Sequence, residues 1–258
     1  MCYDSKARPP FPTERRTAAH GSDLILTAED GNRFAAYAAR PEQAQGAQIV
    51  ILPDARGLHQ FYKDLALLLA EAGIPALAMD YFGRTAGTQL RDDDFDFMPH
   101  MQQLRWETFS ADLRSAIQTT QDQFGDHPTF TLGFCMGGAF SLQAGAGSFG
   151  LTGVIGFYAA LSRAIGGNAT TLDRATSITV PVLGLFGGAD QGIPTSDVET
   201  LDQFLDRTGV EHEIVIYPGA PHSFFDRRWT DFTDASADAW KRMMGFVERH
   251  STASVSAP

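Results

Sequence analysis

Cys135 stands at the apex of Gly133-Phe-Cys-Met-Gly-Gly138, between an apolar run that begins at Thr129 and small residues that continue to Ala146. A Gly-x-nucleophile-x-Gly spacing lets a strand turn sharply into a helix, which lifts the middle side chain above the end of a sheet in a strained conformation. Here that side chain is a thiol. The first amides of the helix would favour its thiolate, and the amide of Met136 would face an oxyanion formed by attack on a carbonyl. A cysteine packed inertly in a glycine-rich turn is the plain alternative, because free cysteine is among the most buried residue types.

A thiol becomes a dependable nucleophile at neutral pH beside an imidazole, and a carboxylate must then fix the imidazole's tautomer. His222 leaves an apolar run directly, in Tyr217-Pro-Gly-Ala-Pro-His222-Ser-Phe-Phe. Asp190 closes Val182-Leu-Gly-Leu-Phe-Gly-Gly-Ala-Asp190, again just past such a run. His59 and His100 fall in loops on the same side, whereas His20, His127, His212 and His250 are expected to face solvent. Nucleophile, acid and base follow one another in the chain order of an α/β-hydrolase arrangement, not of a papain-like or chymotrypsin-like one.

The elements that would carry these residues are legible as well. Short apolar runs at Ile49–Leu52, Ile74–Met79, Phe130–Phe134, Val154–Tyr158, Val180–Phe186 and Glu213–Tyr217 alternate with helical segments. Runs apolar on both faces predict a mostly parallel sheet covered by helices on both sides, an α/β fold. Glu29-Asp30-Gly31-Asn32 predicts an antiparallel hairpin at the start. Helices are expected from Phe61 to Ala72, from Thr108 to Phe124, from Thr195 to Arg207 and from Phe232 to His250. Thr85 to Arg105 breaks the alternation, and reads as a long excursion beside the site or as a solvated loop. Residues 1–21 read as an arm, 22–250 as one domain and 251–258 as a frayed tail.

With 20 Lys and Arg against 31 Asp and Glu, the 258-residue chain carries a formal charge of −11, which disfavours nucleic acid or an anionic membrane as the main partner. No apolar window is long enough to span a bilayer, and no signal peptide is visible. Only Cys2 and Cys135 are present. A bridge between them would remove the nucleophile, so both read as free thiols in a cytoplasmic protein, a monomer or weak homodimer. A redox-sensing role would need a resolving cysteine, for which Cys2 is poorly placed.

On Gly133-Phe-Cys-Met-Gly-Gly138, Gly-Gly-Ala-Asp190 and Ala220-Pro-His222-Ser-Phe224, the chain from about Leu24 to Val247 resembles the dienelactone hydrolase family of α/β-hydrolases. The resemblance implies an ester or lactone hydrolase with a Cys135-Asp190-His222 triad and no metal or cofactor. It places Asp54, where the family more often has Glu, against the thiol, and makes the amide of Ala55 the second oxyanion donor. Arg84 matches one of the family's two substrate-binding arginines, and Tyr158 and Phe224 are expected to join it around the substrate. The second arginine position falls at Asp226, whose charge would repel a carboxylate. The expected substrate is therefore a neutral or less acidic ester or lactone, with an uncharged phosphotriester as a second acceptor. A binding protein that had lost the chemistry would show a broken triad, and none is broken here.

Overall fold

The structure is a computed structural model that describes residues 8–10 and 16–253. Eight strands form one sheet: β1 (Ala19–Thr27), β2 (Arg33–Pro41), β3 (Gln48–Leu52), β4 (Ala76–Met79), β5 (Thr129–Phe134), β6 (Gly153–Phe157), β7 (Val182–Gly187) and β8 (His212–Tyr217). Their spatial order is β1-β2-β4-β3-β5-β6-β7-β8. The first two pairings, β1 with β2 and β2 with β4, are antiparallel, and all the others are parallel.

Every residue of β3, β4, β5, β6 and β7 is buried. Successive side chains point to opposite faces of a sheet, so this uniform burial means that both faces are covered, as the unbroken apolar runs required. The helices are α1 (Gln60–Glu71), α2 (Gly83–Ala86), α3 (Met98–Met101), α4 (Trp106–Phe124), α5 (Met136–Ala144), α6 (Thr171–Ala175), α7 (Thr195–Thr208) and α8 (Thr233–Ala253). Among the described residues no helix is long and apolar enough to cross a membrane.

The chain leaves β3 toward β4 on one side and returns to β5 on the other, so the sheet reverses its direction of winding between β3 and β5. Ligands of open α/β sheets bind at the carboxyl ends of the strands that flank such a reversal. The expected hairpin forms between β1 and β2, with Thr27 opposite Arg33 and Gly31 at φ 83°. Asp30 Oδ1 accepts from the Asn32 amide at 3.1 Å, the side-chain turn that makes Asp-Gly such a strong signal.

Two boundaries shift. The strand of the hairpin begins at Ala19, inside the stretch read as an arm, because nine consecutive residues find partners on β2. Residues 251–253, read as tail, continue α8. Residues 1–7, which include Cys2, lie outside the described residues, as do 11–15 and 254–258. The short helices α2, α3 and α6 were not anticipated, since four or five residues carry no periodicity.

Candidate active site

The turn from β5 into α5 is built by close backbone approach. A Cβ on Gly133 would lie 1.9 Å from the carbonyl oxygen of Gly137, and one on Gly137 would lie 2.1 Å from the Leu52 oxygen and 2.2 Å from that of Pro53. Only glycine fits at either place. The first turn of α5 is thereby pressed against the end of β3, whose Leu52 pairs with Gly133. Cys135 is held at φ 54°, in the left-handed region, and its amide donates to the Phe157 oxygen at 3.0 Å. All nine residues of α5 are buried, and all but Gln143, whose side-chain amide donates to Thr171 Oγ1 at 3.3 Å, are small or apolar.

Positive φ at a non-glycine residue is uncommon, and it occurs at three described positions: Cys135, Tyr158 and Ser223. Each adjoins the site. Tyr158 follows β6, with its ring centroid 4.9 Å from that of His222. Ser223 follows His222 directly. Strain of this kind persists only where surrounding packing holds it, as it does here, since Tyr158 and Ser223 are fully buried.

The three residues singled out in the sequence converge. Cys135, Asp190 and His222 line one cavity of about 470 Å³ beyond the carboxyl ends of the strands. His222 Nδ1 lies 2.6 Å from Asp190 Oδ2, and Asp190 Oδ1 accepts from the Gly192 amide at 2.8 Å. Both carboxylate oxygens are engaged, so Asp190, with its side chain 2% exposed, is fixed in orientation. A carboxylate oxygen can only accept a hydrogen bond from Nδ1–H. That assigns the proton of neutral His222 to Nδ1 and leaves Nε2 able to take one.

The loop after β3 is pinned from several sides. Tyr81 Oη donates to the Pro53 oxygen at 2.8 Å, the Asp54 amide donates to Tyr62 Oη at 2.9 Å, and Asp54 Oδ1 accepts from the Arg56 amide at 2.9 Å. Burial, reinforced first by the charge of Asp54, pushes the Tyr62 and Tyr81 hydroxyls well above their ordinary range, so both stay protonated. Ala55 lies between Asp54 and Arg56 within this pinned loop. Asp54 itself is 1% exposed, lies with Oδ1 3.5 Å from His59 Nε2, and does not line the cavity with Cys135.

Several residues expected to contact substrate are engaged elsewhere in the fold. Arg84 lies away from the cavity: its guanidinium pairs with Asp30 at 2.6 Å and with Asp112 of α4 at 2.8 Å. Burial weakens its proton affinity, but those two carboxylates outweigh it and raise the net value. Phe224 is fully buried, packing on Tyr217 and Tyr158 at centroid distances of 5.0 and 5.7 Å. Tyr158 is also fully buried, and its hydroxyl donates to Asp226 Oδ2 at 2.7 Å. Asp226 is 2% exposed and is not among the residues that line the cavity.

The cavity instead carries Arg163, Arg227 and Arg228. The pair after Asp226 was visible in the sequence only as neighbours of a mismatched position, and Arg163 had no motif around it. Of the other histidines, His100 stacks on Phe95 with centroids 5.1 Å apart, and His250 is buried against Phe246 instead of facing solvent.

A mostly parallel sheet with Cys135, Asp190 and His222 beyond the carboxyl ends of β5, β7 and β8 defines the α/β-hydrolase class. Comparison then narrows it. The sequence profile of the dienelactone hydrolase family matches residues 34–251, and the chain belongs to that family. It is 29% identical over 262 residues to a carboxymethylenebutenolidase of Rhodococcus opacus, an alignment spanning 98% of each chain. A provisionally named dienelactone hydrolase from Klebsiella pneumoniae superposes with a TM-score of 0.76 at 26% identity, covering 90% of this chain and 99% of the other. A dienelactone hydrolase-like promiscuous phosphotriesterase from metagenomic libraries gives a TM-score of 0.68 at 21% identity, over 90% and 98%, and shares the fold. The chain is accordingly a lactone or ester hydrolase acting on small molecules.

Proposed function

We propose that this hydrolase works through Cys135 by a thioester intermediate. The Cys135 thiolate attacks the ester or lactone carbonyl, and the C–S bond forms as the carbonyl pair moves onto oxygen. The amides of Met136 and Ala55 receive that oxyanion. Each such donor is typically worth about 2.7–4 kcal/mol in the transition state. Protonated His222 gives its proton to the departing alkoxide as the C–O bond breaks, leaving the acyl group on sulfur. Water then attacks the thioester while His222 takes its proton, and collapse releases the acid and restores the thiolate. Asp190 keeps Nδ1–H in place throughout and stabilises the imidazolium.

The observation that carries this reading is the 2.6 Å Asp190–His222 bond opening onto the cavity that also holds Cys135, itself a free thiol. Such a thiol must stay reduced, which fits residence in the cytoplasm, and the working unit is a monomer or weak homodimer. The test is p-nitrophenyl acetate hydrolysis by wild type and Cys135→Ala, alongside stoichiometric labelling of the thiol by iodoacetamide. Hydrolysis that disappears in the variant, and in labelled wild type, is the expected result. Equal rates for the two proteins would end the reading. An aryl phosphotriester in the same assay asks whether this chain shares the promiscuity of its structural neighbour.

A further inference from the structure

We infer that Asp202, Asp206 and His212 form a divalent-cation site, suited to zinc, that fastens the end of α7 to the edge strand β8. Asp202 and Asp206 stand one helical turn apart on α7, so both carboxylates leave the same face. His212 opens β8, at the end of the sheet opposite the Cys135 cavity. Its Nε2 lies 3.3 Å from Asp202 Oδ1 and 3.6 Å from Asp206 Oδ1, and the three ligand atoms all lie within 4.8 Å of one another. Donors bound tetrahedrally to one zinc ion at about 2.0–2.2 Å stand about 3.3–3.6 Å apart.

The imidazole sets this cluster apart from an ordinary acidic surface. His212 Nδ1 lies 2.6 Å from the Val210 oxygen, and a carbonyl only accepts, so Nδ1 carries a proton. In the neutral ring Nε2 is then a bare acceptor facing two carboxylate oxygens, which also only accept. Three acceptors converge with no donor between them, an arrangement that a shared cation answers. A histidine that ligates a metal gives its other ring N–H to a backbone carbonyl or carboxylate in this way, which fixes the ring and makes the free nitrogen more basic. The helix adds to the argument. Asp206 lies in the last turn of α7, just before the left-handed Gly209, where the helix dipole disfavours an anion and favours a cation. The base of that turn, Arg207, lies over the Phe204 ring, 4.6 Å from its centroid, and pairs with neither carboxylate among the described residues. One imidazole and two carboxylates suit zinc, with water completing the shell. Placed here, the ion takes no part in acyl transfer and ties down β8, which has a neighbouring strand on one side only.

The test is calorimetric titration with zinc of the tag-free full chain carrying Cys2→Ser and Cys135→Ser, because a thiolate would itself bind the metal. One zinc is expected to bind, and to raise the melting temperature in step with its concentration, as a ligand of the folded state does. Asp202→Asn, Asp206→Asn and His212→Gln each weaken that binding about tenfold or more and remove most of the rise in melting temperature. The Asp202 and Asp206 side chains are 46% and 71% exposed, so their variants test the site even where His212→Gln fails to fold. Glu199→Gln, which removes an exposed acid of α7 outside the cluster, leaves both readings unchanged. Equal weakening by Glu199→Gln would reduce the effect to diffuse negative charge and overturn the inference. So would the absence of saturable binding up to about 1 mM zinc, the result if a second proton on Nε2 is all that the carboxylates hold. Binding indifferent to both Asp202→Asn and Asp206→Asn places the zinc elsewhere and overturns it as well.

Discussion

Two regions follow the carboxyl ends of strands, one after β5 and the other after β4, and they are held by opposite means. The turn from β5 into α5 is shaped by backbone against backbone: glycine carbonyls and Cα atoms in contact, a left-handed cysteine, and a helix with no exposed residue. The excursion 85–105 takes in the last two residues of α2 and all of α3, helices of four residues each, and is tied down by a few side chains. Arg91, 4% exposed, reaches Asp80 at 2.8 Å and the Gly87 oxygen at 2.7 Å. Arg56 reaches out to Asp93 at 3.7 Å, and Phe95 stacks on His100. The contrast separates two jobs. Chemistry needs atoms placed to a fraction of an ångström, which backbone sterics impose. A connection outside the cavity tolerates looser anchors, which side chains supply.

The largest effect should come from the rigid region. Cys135→Ala removes the nucleophile and is expected to lower kcat by about 10⁴-fold or more in steady-state ester kinetics, without lowering the melting temperature. An activity loss matched by an equal loss of stability would mean that the thiol is a packing residue.

Arg91→Ala breaks the main tie of the excursion. Asp80, with no exposed surface, keeps the amides of Leu58 and Phe82 but loses its countercharge. The expected cost is about 3–5 kcal/mol in denaturant unfolding, the scale for one orphaned member of a buried pair, together with faster proteolysis within 85–105. If proteolysis speeds up elsewhere instead, the excursion is not what Arg91 holds.

Gly137→Ala tests the backbone contact from the other side. The added methyl meets the Leu52 and Pro53 oxygens, neither of which can swing aside, so destabilisation of about 1–3 kcal/mol is expected with a fall in kcat larger than any change in KM. A kinetically silent variant would show that the elbow is more compliant than its geometry implies.

The smallest effect belongs to the ion pair that occupies Arg84. The Arg84 guanidinium donates to Asp30 and, with the Asn32 amide, holds its carboxyl below the ordinary range. A depressed acid stabilises the fold above its unfolded value, and that contribution is lost as pH falls through the folded value. Asp30→Asn should therefore cost about 0.5 kcal/mol or less near neutrality, as partly exposed pairs do, and nothing near pH 2. A cost that persists in acid would assign Asp30 a structural role independent of its charge.

The difference between the two regions also explains what could be read in advance. The elbow, the hairpin and the six parallel-sheet runs are written in local terms: glycine spacing, an Asp-Gly turn, and apolar residues in runs of strand length. Asp190 and His222 could be picked out beside Cys135 before any contact was known, because their places at strand ends and their chain order are local facts too, and the three converge on one cavity. The excursion offered no comparable signal, and neither α2 nor α3 was anticipated.

By itself, then, the amino-acid order determined the α/β sheet, the strained turn at Cys135 and the residues able to serve it. Each of these is enforced by steric rules acting over a few neighbouring positions. Only the tertiary structure decided that Arg84 is spent on Asp30 and Asp112, that Tyr158 and Asp226 bond to each other beneath the site, and that Arg163 faces the cavity. The direction of a long side chain is set by the charges and walls it meets after distant elements have packed, and those are not encoded in its own neighbours.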